Sequence, residues 1–156
     1  MPRSLSLWDR VRDQGLCWQP APQRITITID YTKVGNGTEN ETNFPVLIAI
    51  PNLAHAGPGG QSVRFWASDG VTPLAREIEA YVGGTLIAWV KVPTLSYTAD
   101  TVIIMTCGGS WAPEPPAASA YGAQNAWNSN FKAVWHFKET SGGTGAIKDS
   151  TATGCH

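Results

Sequence analysis

The chain has 156 residues, the size of one ordinary domain with room for a core of its own. Its 11 basic and 12 acidic residues leave a net charge of −1. Because the basic residues are scattered, this balance argues against nucleic acid or an anionic membrane surface as a partner. With 16 Gly, 11 Pro, 7 Trp and only 15% charged residues, the composition is typical of a loop-rich β protein.

Cysteine spacing and hydropathy limit the setting of the chain. Cys17, Cys107 and Cys155 are too few and too far apart for a disulfide scaffold or a zinc ribbon. One bridge is possible after export, and three free thiols fit the sequence at least as well. No apolar run is long enough to span a bilayer, so we expect no membrane insertion. The N-terminus lacks the apolar core of a signal peptide, so we expect that any export signal is absent from this chain.

The chain order predicts one β domain after a short leader. Residues 1–23 show no clear period, and we expect a poorly ordered leader there. Between residues 24 and 110, alternating and apolar runs bounded by Gly, Pro and Asn predict six strands. These runs are residues 25–29, 44–50, 63–68, the two halves of 76–92, and 101–107. We therefore predict an all-β, antiparallel, jelly-roll-like sandwich of about six to eight strands.

Residues 76–92, REIEAYVGGTLIAWVKV, predict a β-hairpin turning at Gly83-Gly84. A two-residue turn would place Glu77 and Glu79 among aliphatic neighbours, a pairing that burial disfavours. The sequence therefore predicts a three-residue loop, 83–85, with a glycine in the left-handed region. The predicted inner pairs are Val82–Leu86, Ala80–Ala88 and Ile78–Val90. The predicted outer pairs are Tyr81–Ile87, Glu79–Trp89 and an ion pair, Glu77–Lys91.

The C-terminal third differs in composition. Residues 111–126 are rich in Pro and Ala without periodicity, which indicates a linker. Residues 131–138, FKAVWHFK, alternate and predict one more strand. The remaining Gly, Ser and Thr residues predict a tail that does not order alone.

Two groups of segments resemble known families. The runs ITIDYTKV, NFPVLIAI, VRFWASDG, LAREIEAY, LIAWVKVPTL and DTVIIMTCGG resemble a bacterial and archaeal domain-of-unknown-function family, number 2341, over about residues 24–109. AWNSNFKAVWHFKETSG with KDSTATG is similar to the linker and opening strand of a concanavalin-like, laminin-G-type lectin domain. The resemblance implies an extracellular, often carbohydrate-associated β-sandwich module, with the truncated start of a lectin-like domain in residues 127–156. It brings no catalytic residues.

Glu77 and Glu79 are candidate catalytic residues. Two apart on a strand, they point the same way with Cα atoms about 6.6–6.8 Å apart. Glycosidases place two carboxyls roughly 5–9.5 Å apart, and one of the two must hold a proton to act as the acid. The alternative is a solvated sheet face on which the acids pair with Lys91 and Arg76.

Aromatic residues indicate a possible sugar-binding surface. On the outward faces, Trp66, Tyr81 and Trp89 can form a platform on which the C–H faces of a sugar ring stack. Hydrogen-bonding groups for the sugar hydroxyls are Arg64, Glu77, Glu79 and Lys91. The alternative is that a second layer covers these rings.

No cofactor is expected from the sequence. Asp69 and Asp100 with nearby carbonyls are a weak calcium candidate, because the chain has no D-x-D-x-D-G run and both read as turn aspartates. The three histidines are dispersed, and no G-x-S-x-G motif occurs.

These observations favour a non-catalytic, extracellular β-sandwich module that binds carbohydrate or supports a glycan-binding neighbour. The expected partners are a polysaccharide or glycan and a neighbouring lectin-like domain. A small glycoside hydrolase using Glu77 and Glu79 is the first alternative, and a structural spacer is the second.

Two substitutions distinguish an open Glu79 face from a covered one. Ile78→Ala should lower the free energy of unfolding by about 2–5 kcal/mol as a core truncation, whereas Glu79→Ala should cost under about 0.5 kcal/mol on an open face. Urea titration of both variants measures these values. A large loss in Glu79→Ala would mean that another layer covers this face.

Overall fold

The computed structural model describes residues 22–35, 37–108, 114–143 and 146–154. Within these ranges six strands and three short 3-10 turns occur, without an α-helix. The strands are β1 (Gln23–Ile29), β2 (Glu41–Ile50), β3 (Arg64–Ala67), β4 (Arg76–Val82), β5 (Thr85–Leu95) and β6 (Thr101–Cys107). They form two three-stranded antiparallel sheets, so the predicted all-β antiparallel sandwich is confirmed with six strands. None of the described segments forms a hydrophobic helix of membrane-spanning length.

The two sheets have the strand orders β1-β6-β3 and β2-β5-β4. Among the six described strands, only β4 and β5 form a hairpin, and each of the other connections between consecutive strands crosses from one sheet to the other. Side chains along a strand alternate between its two faces, and in each sheet the apolar side chains point toward the other sheet. The largest contributors to the core, all 0–1% exposed, are Phe65, Ile103, Met105, Leu86, Val90 and Val92.

The hairpin register differs from the predicted one. Val82 pairs with Thr85 and Tyr81 with Leu86, so the turn contains two residues rather than three. Gly83 (φ 58°) and Gly84 (φ 79°) are both left-handed, as the mirror-image turns of tight hairpins require. The predicted three-residue loop and its six pairs are therefore wrong.

A β-bulge explains the error. The register of β4 shifts between Ile78 and Ala80, so Glu79 is an extra residue without a partner. Beyond the bulge, Ile78 pairs with Ala88 and Glu77 with Trp89. One unpaired residue thus restores the alternation of inward and outward side chains, which a simple two-residue hairpin would have lost.

The predicted strand over residues 131–138 is wrong. This segment is described and contains no strand. Phe137 has a φ of 52°, which an extended strand does not allow. The Val134 amide donates to the Asp149 carboxylate (2.9 Å), and the Val134 carbonyl accepts from the Ser150 amide (2.8 Å). An alternating segment forms a strand only when a neighbouring backbone supplies its hydrogen-bond partners. Here the Asp149 side chain, and not a backbone carbonyl, accepts from the Val134 amide.

Cys107 is a free, buried thiol at the end of β6. Burial raises the pKa of this thiol. Cys17 and Cys155, together with most of the predicted leader, lie outside the described residues.

Leu86 follows the hairpin turn and is fully buried, whereas Val82, which precedes the turn, is 76% exposed. Leu86→Ala should lower the free energy of unfolding by about 2–5 kcal/mol, and Val82→Ala by less than about 0.5 kcal/mol. Chemical denaturation of the two variants measures the difference. Equal losses would contradict the two-residue turn, which places Val82 and Leu86 on opposite sides of the sheet.

Candidate functional site

The candidate site lies on the outer face of the β2-β5-β4 sheet. We use "outer face" for the side of this sheet turned away from the core, where Pro45, Glu77, Ile87, Trp89 and Lys91 lie. We use "covering segment" for residues 114–143 and 146–154. The covering segment packs on the outer face. It is the second layer that was the alternative to an open sugar-binding surface on this sheet. Glu77 is consequently only 7% exposed.

Glu77 is the centre of the contacts between the covering segment and the sheet. Its Oε2 accepts a hydrogen bond from Trp127 Nε1 (2.8 Å), and its Oε1 accepts one from Ser150 Oγ (2.7 Å). A buried carboxylate is tolerated only when its oxygens are paired in this way. Glu77 therefore connects β4 to two points of the covering segment that are 23 residues apart.

His136 spans the two glutamates. Its Nε2 lies 3.3 Å from Glu77 Oε2 and its Nδ1 lies 3.5 Å from Glu79 Oε2. Neither pair of atoms forms a well-aligned hydrogen bond, and Nε2 is buried without a hydrogen-bond partner. Glu79 Oε2 instead accepts a short bond from Trp89 Nε1 (2.7 Å). The imidazole ring thus lies between the two carboxylates.

Aromatic packing completes the cluster. The Trp127 ring is tilted against Trp89 with centroids 5.1 Å apart, against Phe131 at 5.3 Å and against His136 at 6.0 Å. Such tilted pairs are each worth about 0.5–1.5 kcal/mol beyond the area they bury. Trp127 is 7% exposed. Together the rings and Glu77 hold the covering segment against β5.

A cavity of about 230 Å³ adjoins the cluster. Glu77, His136 and Ser150 line one side of it, and charged side chains of the covering segment line the other. Glu79 does not line this cavity, so only one of the two glutamates faces it.

The proposed aromatic platform is not one surface. Trp66 belongs to β3, and its neighbour Phe65 is in the core, so Trp66 points outward from the β1-β6-β3 sheet. Trp89 points outward from the opposite sheet. Tyr81 faces inward, packs against the core and donates from its hydroxyl to the Leu53 carbonyl (2.7 Å). A platform of these three rings is therefore excluded by the geometry.

The remaining predicted residues divide between the two sheets. Arg64 lies beside Trp66, and its Nη1 donates to the carbonyls of Gln61 (2.6 Å) and Val63 (2.8 Å). Lys91 lies on the outer face opposite Pro45. Trp89 rather than Lys91 is opposite Glu77, so the predicted Glu77–Lys91 cross-strand pair is wrong.

The two aspartates of the weak calcium candidate, Asp69 and Asp100, accept hydrogen bonds from different backbone amides. Asp69 caps its own turn through the amides of Val71 and Thr72, both at 2.9 Å. A hydrogen bond from the Thr72 hydroxyl, together with these two amide bonds, lowers the pKa of Asp69. Asp100 accepts from the Tyr31 amide (3.1 Å). Among the described residues, no three His, Cys, Asp or Glu side chains come together as metal ligands.

A second connection was not foreseen. Arg76 is 1% exposed and faces inward, its Nε donating to the Val63 carbonyl (2.7 Å). Its guanidinium forms a bidentate ion pair with Glu114, in which Nη1 lies 2.5 Å from Oε1 and Nη2 lies 2.9 Å from Oε2. Neither this pair nor Trp127, His136 and Ser150 was identified from the sequence. The only signal for them was the aromatic content of a segment that otherwise reads as linker and tail.

No protein-family model matches the chain, and no significant match was found among curated proteins or solved structures.

The buried bonds of Glu77 predict a stability effect. Glu77→Ala should lower the free energy of unfolding by about 2–6 kcal/mol, because it leaves the Trp127 and Ser150 donors unpaired at about 1–3 kcal/mol each. Glu39, which is exposed in a loop, is the matched control, and Glu39→Ala should stay within about 0.5 kcal/mol of the parent. Urea denaturation followed by tryptophan fluorescence compares the two. A Glu77→Ala variant as stable as the control would contradict the covered outer face.

Proposed function

We propose that the chain is a non-catalytic β-sandwich module of a larger extracellular protein, whose outer face holds the segment that follows the sandwich. One observation carries this proposal. Trp127 of the covering segment is 7% exposed, donates to Glu77 and packs against Trp89. A surface that is already filled by the chain itself serves to position that segment.

The contacts with the covering segment are distributed along it. Glu114 pairs with Arg76 at one end, and Ser150 donates to Glu77 near the other. Between them, the Tyr121 carbonyl accepts from the Arg76 amide (3.4 Å), and Asn128 donates to the Asn43 carbonyl (2.9 Å). Contacts at both ends and in the middle restrict the position of the segment on the sheet more than a single anchor would.

The resemblance of the segments suggests what the module supports. Residues 127–156 resemble the opening of a concanavalin-like lectin domain, and most of them belong to the covering segment. A sandwich that fixes this opening would also fix the orientation of the neighbouring lectin-like domain toward its glycan. The module thereby serves carbohydrate recognition by a neighbour, and this role does not require an open outer face.

The geometry around the glutamates disfavours the glycosidase alternative. A glycosidase needs both carboxyls free to flank one glycosidic bond. Glu77 accepts from Trp127 and Ser150, Glu79 accepts from Trp89, and His136 lies between the two glutamates. The cavity beside Glu77 does not include Glu79, so a sugar bound there would meet only one of these two carboxyls.

Loss of the central anchor tests the proposal. Trp127→Ala should expose the covering segment, which hydrogen exchange of the full chain followed by mass spectrometry measures over residues 114–154. We expect faster exchange there and a loss of about 3–5 kcal/mol in stability. The control is Trp135→Ala, because Trp135 is in the same segment but 43% exposed. Unchanged exchange in Trp127→Ala would overturn the proposed docking.

The same preparations test the absence of catalysis. Incubation with a panel of polysaccharides should release no reducing sugar above background. Hydrolysis that disappears in both Glu77→Gln and Glu79→Gln, with the fold retained by circular dichroism, would establish the glycosidase instead.

A further inference from the structure

His136 connects the covering segment to the sheet through an imidazole, the side-chain group that ordinarily changes its charge between about pH 5 and 8. Its side chain is 9% exposed, and its two ring nitrogens lie beside two different carboxylates of β4. Nε2 is 3.3 Å from Glu77 Oε2, and Nδ1 is 3.5 Å from Glu79 Oε2. When the covering segment packs on the outer face, it therefore brings one imidazole to two acidic side chains.

The number of protons on the ring decides how well it fits between these carboxylates. A neutral imidazole carries one N–H and one lone pair, so one of the two glutamates is left beside a ring nitrogen that has no proton to offer. The imidazolium ion carries an N–H on both nitrogens. Both the His136 ring and Glu77 are largely removed from water, where attraction between opposite charges is stronger than on an open surface. The charged form of His136 is thus the one that matches the geometry.

Other charged groups around the ring do not reverse this preference. Two basic and two acidic side chains of the covering segment line the cavity beside His136 and balance one another, and β5 adds one lysine on the outer face. They are Lys138, Lys148, Glu139, Asp149 and Lys91 of β5. The one unbalanced lysine faces two glutamates that are in direct contact with the ring.

We propose that protonation of His136 strengthens the docking of the covering segment, which makes the outer face a pH-sensitive clasp. In the docked state the imidazolium lies between two carboxylates, whereas a detached segment would leave it in water. The docked state therefore binds this proton more tightly, and by linkage the proton favours docking. The added stability is present at the acidic end of the histidine range and is lost as the pH rises through it. This inference rests on the proposed docking role and adds a regulation to it.

Hydrogen exchange of the full chain at two pH values tests the clasp. Protection factors over residues 114–154, each calculated against the intrinsic exchange rate at the same pH, are compared at about pH 5.5 and about pH 8, on either side of the ordinary histidine midpoint. At the lower value ordinary glutamates, with a pKa of about 4.3, are still ionised. We expect protection to be at least about fivefold greater at the lower pH. Equal protection, or greater protection at the higher pH, would overturn the proposal.

Two variants test the residues. His136→Gln cannot take up a proton and should abolish the difference between the two pH values. Glu79→Gln removes one of the two charges and keeps an oxygen that can accept from Trp89. It should reduce the difference to about twofold. Because Glu79→Gln leaves His136 and Glu77 in place, it decides the matter even where His136→Gln loosens the segment at both pH values. A full difference that persists in Glu79→Gln would contradict the clasp.

His55 provides the matched control. It is an exposed histidine in a loop of the sandwich, with a φ of 61°. Asparagine tolerates this left-handed backbone, so His55→Asn removes an imidazole at little cost to the loop. His55→Asn should retain the full difference between the two pH values. Loss of the difference in this control would assign the pH response to His55 and overturn the role of His136.

The same exchange data separate the clasp from the docking role. If residues 114–154 are strongly protected to the same degree at both pH values, docking stands and only the clasp is overturned. If these residues are unprotected at both pH values, the docking role fails, and the clasp fails with it.

Discussion

The burial of one carboxylate organises the described part of this chain. Glu77 is on a strand whose inner neighbours are in the core, and its own side of the sheet is closed by the covering segment. A carboxylate removed from water destabilises the fold unless its oxygens are paired. Trp127 and Ser150 supply that pairing, so Glu77 and the covering segment each require the other. The packing of the tryptophan rings adds apolar contact to the same place.

The outer face is occupied by the chain itself. The covering segment packs on it, and the cavity that remains beside Glu77 does not include Glu79. On the β3 side, an apolar cleft lies where the sheet meets the covering segment. The Arg76–Glu114 pair attaches the covering segment beside this cleft.

Strand positions were predictable from the sequence, but their partners were not. The run of residues 101–107 became β6 at the same bounds, since periodicity and turn residues are local properties. The hairpin register failed because a bulge at Glu79 depends on what each face meets. Trp66 and Trp89 both alternate outward, yet nothing local indicates that they belong to different sheets. Residues 131–138 alternate like a strand, but the Val134 amide bonds to the Asp149 side chain instead of to a neighbouring strand. Of the candidate site residues, Glu77, Glu79 and Trp89 do come together, around the unforeseen Trp127 and His136.

The covering segment also has a consequence for solubility. Without it, Ile87, Trp89 and Pro45 would join Leu47, which is 49% exposed, in one continuous apolar patch. Part of that patch lies on β2, which among the described strands is at the edge of its sheet. Apolar patches next to unpaired sheet edges promote association between copies of a protein. A sandwich that ended near residue 110 would therefore tend to aggregate. The covering segment prevents this by burying the apolar patch.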